Sequence, residues 1–234
     1  NIAILGSTGS IGKTLINILK KDKKNFNIVL LTANKNYNEL LKQAKIFNVK
    51  NLILTNKNNF LKLKKKNHSN KIKIYNNFES INKIFKKKID YILSSISGIE
   101  GLSPTLKCIK YTDVIAIANK EAIICGWNVL KKELKKNKTE FIPVDSEHFS
   151  IHYAINKKLS SNINKIYLTA SGGPLLNVPL KKFKDVKLHD VLNHPNWNMG
   201  KKISIDSATL MNKVFEIIEA KKIFDIPYKK LKIL

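Results

Sequence analysis

Two short stretches carry the residue types best suited to chemistry. In "PVDSEH", Asp145 and Glu147 follow an apolar run. Two residues apart in an extended segment, they project to the same side. Carboxylates so placed make half a site for Mg2+ or Mn2+, which favour hard oxygen donors. A second reading fits equally on the residues alone: Asp145 caps the next helix, with His148 in its first turn. In "IDSATLMNKVFEIIEA", Asn212 and Glu216 stand four apart and share a helical face, with Lys213 adjacent. Ser207, Asn212 and Lys213 offer the hydroxyl, amide and ammonium donors that suit a phosphate. Asp206-Ser207 has the composition of a helix cap, and Glu219, one turn past Glu216, is expected at the surface. "TASGGP" sets Ser171 before two glycines at a strand end, another candidate oxyanion or phosphate nest. "HPNW" puts His194 and Trp197 on a loop, where an aromatic serves as a lid or as a packing plug.

The other candidate is the turn in "IAILGSTGSIGKT". Its Gly-Lys-Thr ending resembles a P-loop, but that motif needs glycine at position 7, where Ser7 stands. A Walker-B-like run, "FIPVDSE", contains Pro143, which fits poorly in a central strand. The spacing of Gly6, Gly9 and Gly12 fits a dinucleotide turn better. There glycines let backbone N–H groups approach a pyrophosphate at a helix N-terminus. After the second apolar run comes "TANKN", with Asn34, Lys35 and Asn36 in place of the acidic residue that NAD sites use. This favours the 2′-phosphate of NADP; the plainer reading is one more Lys in a Lys-rich chain.

These residues need elements to hold them. Apolar runs at Ile2–Leu5, Ile28–Thr32, Leu52–Thr55, Ile72–Tyr75, Tyr91–Ser94 and Val114–Ala118 read as strands. Most are separated by segments of helical spacing, such as Leu15, Ile18 and Leu19. Strands alternating with helices predict an α/β fold with a mostly parallel sheet. From Phe141 the texture changes: of six prolines only Pro104 comes earlier, and polar clusters sit beside apolar runs. The expectation is a Rossmann-like dinucleotide-binding domain over 1–143 and an α/β catalytic domain over 144–234. The closing "KKLKIL" reads as the opening of a strand, so the second domain is expected to be incomplete.

Composition narrows the alternatives. The 43 basic residues are all Lys, and against 17 acidic ones they give a net charge of +26. That charge raises nucleic-acid binding. Arg, the main agent of bidentate base recognition, is absent, and the Lys residues are dispersed in short runs typical of solvated faces. Abundant Lys, Asn and Ile point to an A/T-rich genome. Cys108 and Cys125 form no metal-binding pattern and are expected to be small buried residues. No apolar run is long enough to span a membrane.

At this point the motifs form one set. "GSTGSIG", "ANKEAI", "VDSEH", "SGGP" and "HPNWNMGKKISIDSATLMNK", with Glu216 after them, resemble 1-deoxy-D-xylulose 5-phosphate reductoisomerase over essentially the whole chain. The resemblance implies NADPH- and divalent-metal-dependent rearrangement and reduction of 1-deoxy-D-xylulose 5-phosphate to 2-C-methyl-D-erythritol 4-phosphate, in non-mevalonate isoprenoid synthesis. It implies Asp145, Glu147 and Glu216 as ligands of Mg2+ or Mn2+, and Lys120 beside them as a catalytic group. It implies Ser146, Ser171, His194, Trp197, Ser207, Asn212 and Lys213 around the phosphosugar. Gly6, Thr8, Gly9, Ser10, Ile11, Gly12, Asn34, Lys35, Asn36, Asn119 and Glu121 would hold NADPH. It also implies a homodimer at full length, with no nucleic-acid or membrane partner. The expected location is a bacterial cytoplasm or, alternatively, a plastid-type organelle. Two departures stand out. Val214 occupies a place where the family commonly has glycine, and the chain stops before the family's remaining catalytic sheet and C-terminal helical domain. The span alone is therefore expected to be weakly active or inactive.

Overall fold

The computed structural model describes residues 1–66, 71–155, 163–193 and 200–234. They fall into two compact units, Asn1–Asp145 and Ser146–Leu234.

The first unit is a seven-stranded sheet: β1 (Ile2–Leu5), β2 (Ile28–Ala33), β3 (Asn51–Leu54), β4 (Lys73–Tyr75), β5 (Ile89–Ser94), β6 (Thr112–Ile117) and β7 (Glu140–Pro143). Its order is β4-β3-β2-β1-β5-β6-β7, and every pairing is parallel. Each of the six expected runs lies on a strand, the first with the same ends and the others with an end shifted by at most two residues. All four residues of β1 are buried, as a strand covered on both faces requires. Pro143 closes β7, an edge strand, so its missing N–H breaks no interior ladder.

Helices α1 (Ser10–Lys21), α2 (Tyr37–Phe47), α3 (Lys57–Lys66), α4 (Ile81–Ile84), α5 (Leu102–Ile109) and α6 (Lys120–Asn137) make the crossovers. In α1 the buried residues are Gly12, Ile16 and Leu19, one face at helical spacing, and Lys20 and Lys21 complement the dipole in its last turn. Asn36 caps α2 by accepting the Glu39 N–H at 3.1 Å. Ile4, Ile16, Leu31, Leu40, Leu52 and Leu93 belong to one continuous apolar core. The chain leaves β1 in one direction, toward β2, and returns on its other side at β5. The strand order therefore reverses between β1 and β5, the place where open α/β sheets leave a crevice at their C-terminal edge.

The second unit comprises α7 (Ser146–Ile155), β8 (Ile166–Leu168), α8 (Leu188–Leu192), α9 (Lys201–Ala208), α10 (Met211–Phe224) and β9 (Leu231–Ile233). Strands β8 and β9 pair in parallel, Ile166 with Leu231 and Leu168 with Ile233. Ile151, Leu168, Ala220, Phe224, Ile226 and Leu231 form its small core. Asp206 and Ser207 lie near the end of α9, where they cap nothing. The break before α10 is instead made by Leu210, in the left-handed region at φ 58° with no side-chain cap. A residue with Cβ rarely adopts that backbone, so composition pointed to the wrong residue.

Candidate active site

The glycine turn sits at the end of β1, beside that crevice. Thr32 supports it: its Oγ1 accepts the Gly6 N–H and its carbonyl accepts the Ser7 N–H, both at 2.9 Å. Gln43 of α2, itself buried, donates to the Ser7 carbonyl at 3.0 Å. Gly6 has φ 81°, and a Cβ there would lie 2.8 Å from the Ser95 carbonyl oxygen. A Cβ on Gly12 would lie 2.6 Å from the Ser7 Cα, so α1 starts flush against the turn. Gly9 is the N-cap of α1 and supplies no side-chain acceptor. The first N–H groups, from Ser10 and Ile11 onward, therefore have no partner inside the helix and suit an anion. Lys13 and Thr14 are ordinary residues of α1, with Thr14 Oγ1 donating to the Ser10 carbonyl at 3.1 Å. Thr8 is half-buried within the turn.

The loop after β2 is braced. Asn34 donates to Thr55 Oγ1 at 2.8 Å, and the Lys35 carbonyl accepts from Asn59 at 2.9 Å. Asn34, Lys35 and Asn36 are all exposed there. At the start of α6, Asn119 is buried and uses its amide inward. Its oxygen accepts the Ala122 N–H at 2.7 Å, and its nitrogen donates to the carbonyls of Ile96 and of Gly98, the latter at 2.6 Å. Lys120 follows and forms an ion pair with Asp145, which comes just after β7; the two side chains are 13% and 16% exposed. Glu121 lies in the same first turn.

In the second unit, two carboxylates converge on one cation. The Lys213 ammonium lies 2.8 Å from Glu147 Oε1 and 2.5 Å from Glu216 Oε2. Burial pushes its pKa down, but hydrogen bonds and charge from Glu147 and Glu216 outweigh that, and the net shift is upward. Asn212 donates to the other Glu216 oxygen, as the four-residue spacing predicted. The Ser146 hydroxyl donates to Glu147 Oε2 at 2.6 Å. Val214 is 43% exposed on α10.

Glu219 corrects the sequence reading, which put it on the surface. It is 1% exposed, with its carboxylate 3.6 Å from His148 Nδ1. His148 is itself fully buried; its ring stacks near Phe224 and its Nε2 donates to the Glu216 carbonyl at 2.8 Å. Facing a carbonyl oxygen fixes the proton on Nε2. The available signal was spacing: Lys213, Glu216 and Glu219 repeat every three residues along one buried stripe. Cys125 is a second correction. Cys108 is buried as expected, whereas Cys125 is exposed.

The expected phosphate set divides. Gly172 and Gly173 have φ 81° and 67°, and a Cβ on Gly173 would lie 2.8 Å from the Ser207 carbonyl oxygen. That close approach packs the Ser171–Gly173 turn on the end of α9. Asn212 and Lys213 are turned to the carboxylates instead. His194 and Trp197 lie outside the described residues. Sequence reasoning also passed over Thr32 and Gln43, which hold the glycine turn, and the Ser95–Gly101 loop facing it.

Fold and site together define a Rossmann-like α/β chain followed by a second α/β unit built around carboxylates and a lysine. Comparison with known proteins gives the family. The profile of 1-deoxy-D-xylulose 5-phosphate reductoisomerase matches residues 2–126, and that of the same enzyme's C-terminal domain matches residues 141–224. The chain belongs to the 1-deoxy-D-xylulose 5-phosphate reductoisomerase family. It is 62% identical to the reductoisomerase of Pelagibacter ubique over its whole length and 42% identical to that of Clostridium tetani, and covers 61% and 62% of those proteins. A crystal structure of DOX-P reductoisomerase in complex with NADPH, fosmidomycin and magnesium superposes with a TM-score of 0.89 at 33% identity. It matches 99% of this chain and 60% of that one. The Zymomonas mobilis enzyme in complex with NADPH gives 0.84 at 30%, again over 99% of this chain and 60% of that one. Among the described residues no helix is long and apolar enough to cross a membrane.

Proposed function

We propose that the protein carrying this chain converts 1-deoxy-D-xylulose 5-phosphate to 2-C-methyl-D-erythritol 4-phosphate, using NADPH and Mg2+ or Mn2+, within non-mevalonate isoprenoid synthesis. The observation that carries the reading is the convergence of Glu147 and Glu216 on one buried cation, Lys213, in a chain that also has the glycine turn. An all-carboxylate donor set suits a hard divalent ion. Asp145, two residues before Glu147, completes the set. A bound divalent ion supplies Lewis-acid stabilisation of charge developing on substrate oxygens, and NADPH supplies the hydride.

The chain's own residues do the rest. The turn from Gly6 through Thr8, Gly9, Ser10, Ile11 and Gly12 receives the pyrophosphate. Asn34, Lys35 and Asn36 meet the 2′-phosphate, and Asn119 and Glu121 complete the cofactor region. Lys120, oriented by its pairing with Asp145, faces the reacting carbons with Ser146. Ser171 and Ser207 donate to the substrate phosphate, and Lys213 and Asn212 turn to it once the carboxylates have another cation. His194 and Trp197 join this set on the resemblance alone. The domains are a cofactor domain over 1–143 and a catalytic domain over 144–234. The dimer at full length rests on the resemblance alone; a bacterial cytoplasmic location is in keeping with the relatives, which are bacterial.

The test is substrate-dependent NADPH oxidation by the full-length protein with and without Mn2+. The expected result is turnover that chelation abolishes and Mn2+ restores. ATP hydrolysis without NADPH oxidation would overturn the reading.

A further inference from the structure

We infer that Asn119 acts on cofactor binding as a positioning residue, clamping the Ser95–Gly101 loop into the far wall of the crevice; this rests on the proposed dinucleotide site. The loop follows β5 and abuts the glycine turn: a Cβ on Gly6 would lie 2.8 Å from the Ser95 carbonyl oxygen and 3.1 Å from the Ile96 nitrogen. Any shift of the loop therefore moves the surface against which Gly6 is packed. The loop's start is tied to β1, the Ser95 N–H and hydroxyl both donating to the Leu5 carbonyl, at 2.9 and 2.7 Å. Its end is tied to α5, where Thr105 Oγ1 donates to the Gly101 carbonyl at 2.6 Å. Between these ties runs the turn through Gly98, at φ 75°.

The Asn119 amide holds that middle portion. One side chain from α6 donates to two carbonyls of the turn, Ile96 and Gly98, while its oxygen caps its own helix at the Ala122 N–H. Both amide protons are thus committed to the loop, which leaves none to donate to a ligand. Gly101 leaves room for the clamp. A Cβ there would lie 2.6 Å from the Ile96 oxygen and would also collide with the Asn119 amide. Glycine at 101, left-handed glycine at 98 and asparagine at 119 form one device. A residue that only capped α6 would need no donor, and Asp or Ser would serve as well.

That difference gives the experiment, made on the full-length protein. Asn119→Asp keeps the capping oxygen and loses both donors. Asn119→Ser keeps a capping oxygen and removes both amide donors without adding charge; its one hydroxyl is on too short a side chain to span both carbonyls. This variant replaces the Asp variant should that not fold. Gly101→Ala displaces the clamp without removing a polar group. NADPH affinity is read by titration, and exchange of the Ser97 and Gly98 amides by hydrogen–deuterium exchange. Losing two hydrogen bonds should weaken NADPH about tenfold or more and speed exchange at 97–98 by a similar factor. Gly101→Ala should do the same. An unchanged NADPH affinity in the cap-preserving variants would reduce Asn119 to a helix cap and overturn the inference. Weakening by Asn119→Asp with Gly101→Ala silent would overturn it in favour of direct contact. A wild-type protein that binds no NADPH would remove the cofactor reading, and the inference with it.

Discussion

The two units bury polar groups of different kinds. Among the described residues, those buried in the first are Ser7, Thr32, Gln43, Ser94, Thr105, Thr112, Asn119 and Thr139, all uncharged; the second buries His148, Lys213, Glu216 and Glu219, with Ser204 as its one uncharged hydroxyl. In the first, the glycine turn presents backbone, and its geometry follows from the strands and helices around it; the Lys120–Asp145 pair lies at that unit's far end. In the second, charged side chains hold one another in place. Removing one leaves its neighbours' buried charge less well compensated, a costly state in a low-dielectric interior. The first unit is thus shaped by its core, and the second depends on charge balance within its site.

The sharpest way to break this contrast is Lys213→Met. It should destabilise the metal-free protein by about 3 kcal/mol, because Glu216 loses its cation. Mn2+ should restore most of the loss, as a second cation for the same carboxylates. Denaturant unfolding with and without metal measures both. A loss that metal does not repair would mean that Lys213 supports packing alone.

Gly12→Ala should act on the other unit, costing about 1–3 kcal/mol by forcing α1 off the turn and weakening NADPH. The Mn2+-dependent stabilisation should stay intact. A parallel loss of both ligands, seen in thermal shifts with each alone, would show that the units do not behave separately.

Cys108 tests how apolar the first interior is. Burial pushes its thiol up to about 12. A raised pKa means that the folded form holds the proton while the unfolded form releases it above the ordinary value of 9.0. Its stabilising contribution is full below that value and is lost as pH rises through the folded one, at about 1.4 kcal/mol per pH unit. Cys108→Ala should flatten this part of the stability profile between pH 9 and 11. At pH 8 a thiol reagent should label Cys125 and spare Cys108 until unfolding.

The smallest effect is expected at Lys35. Lys35→Ala should weaken NADPH by about 1 kcal/mol, roughly fivefold, and leave NADH and stability unchanged. Equal loss for both cofactors would remove Lys35 from the 2′-phosphate site.

The contrast also explains what could be read from sequence. The parallel sheet and glycine turn were legible because apolar runs and the spacing of Gly6, Gly9 and Gly12 are local patterns. Glu147 and Glu216 stood out by residue type. Glu219 did not: by residue type a carboxylate on a helix surface and one in a buried pair look alike, and its three-residue spacing from Lys213 and Glu216 gains meaning only once α7 packs beside α10. The Asn119 clamp was missed for the same reason. Its partners are the backbone carbonyls of Ile96 and Gly98, more than twenty positions away, and carbonyls carry no sequence signature. Leu210 shows a third limit, since tertiary packing can hold a residue in a backbone region that its own preference disfavours.

The reversal of strand order at β1 also bears on how the chain assembles. Strand β1 pairs on one side with Ile28–Leu31 and on the other with Tyr91–Ser94, about ninety positions away. The half-sheet β1 to β4 closes through short loops, whereas the crevice beside β1 closes only after a long, entropically costly one. Such distant parallel pairings form slowly. Folding of the first unit should therefore show an early half with a protected β2–β3 core. The cofactor crevice, which needs both Gly6 and Ser95 in place, should be among the last features to appear.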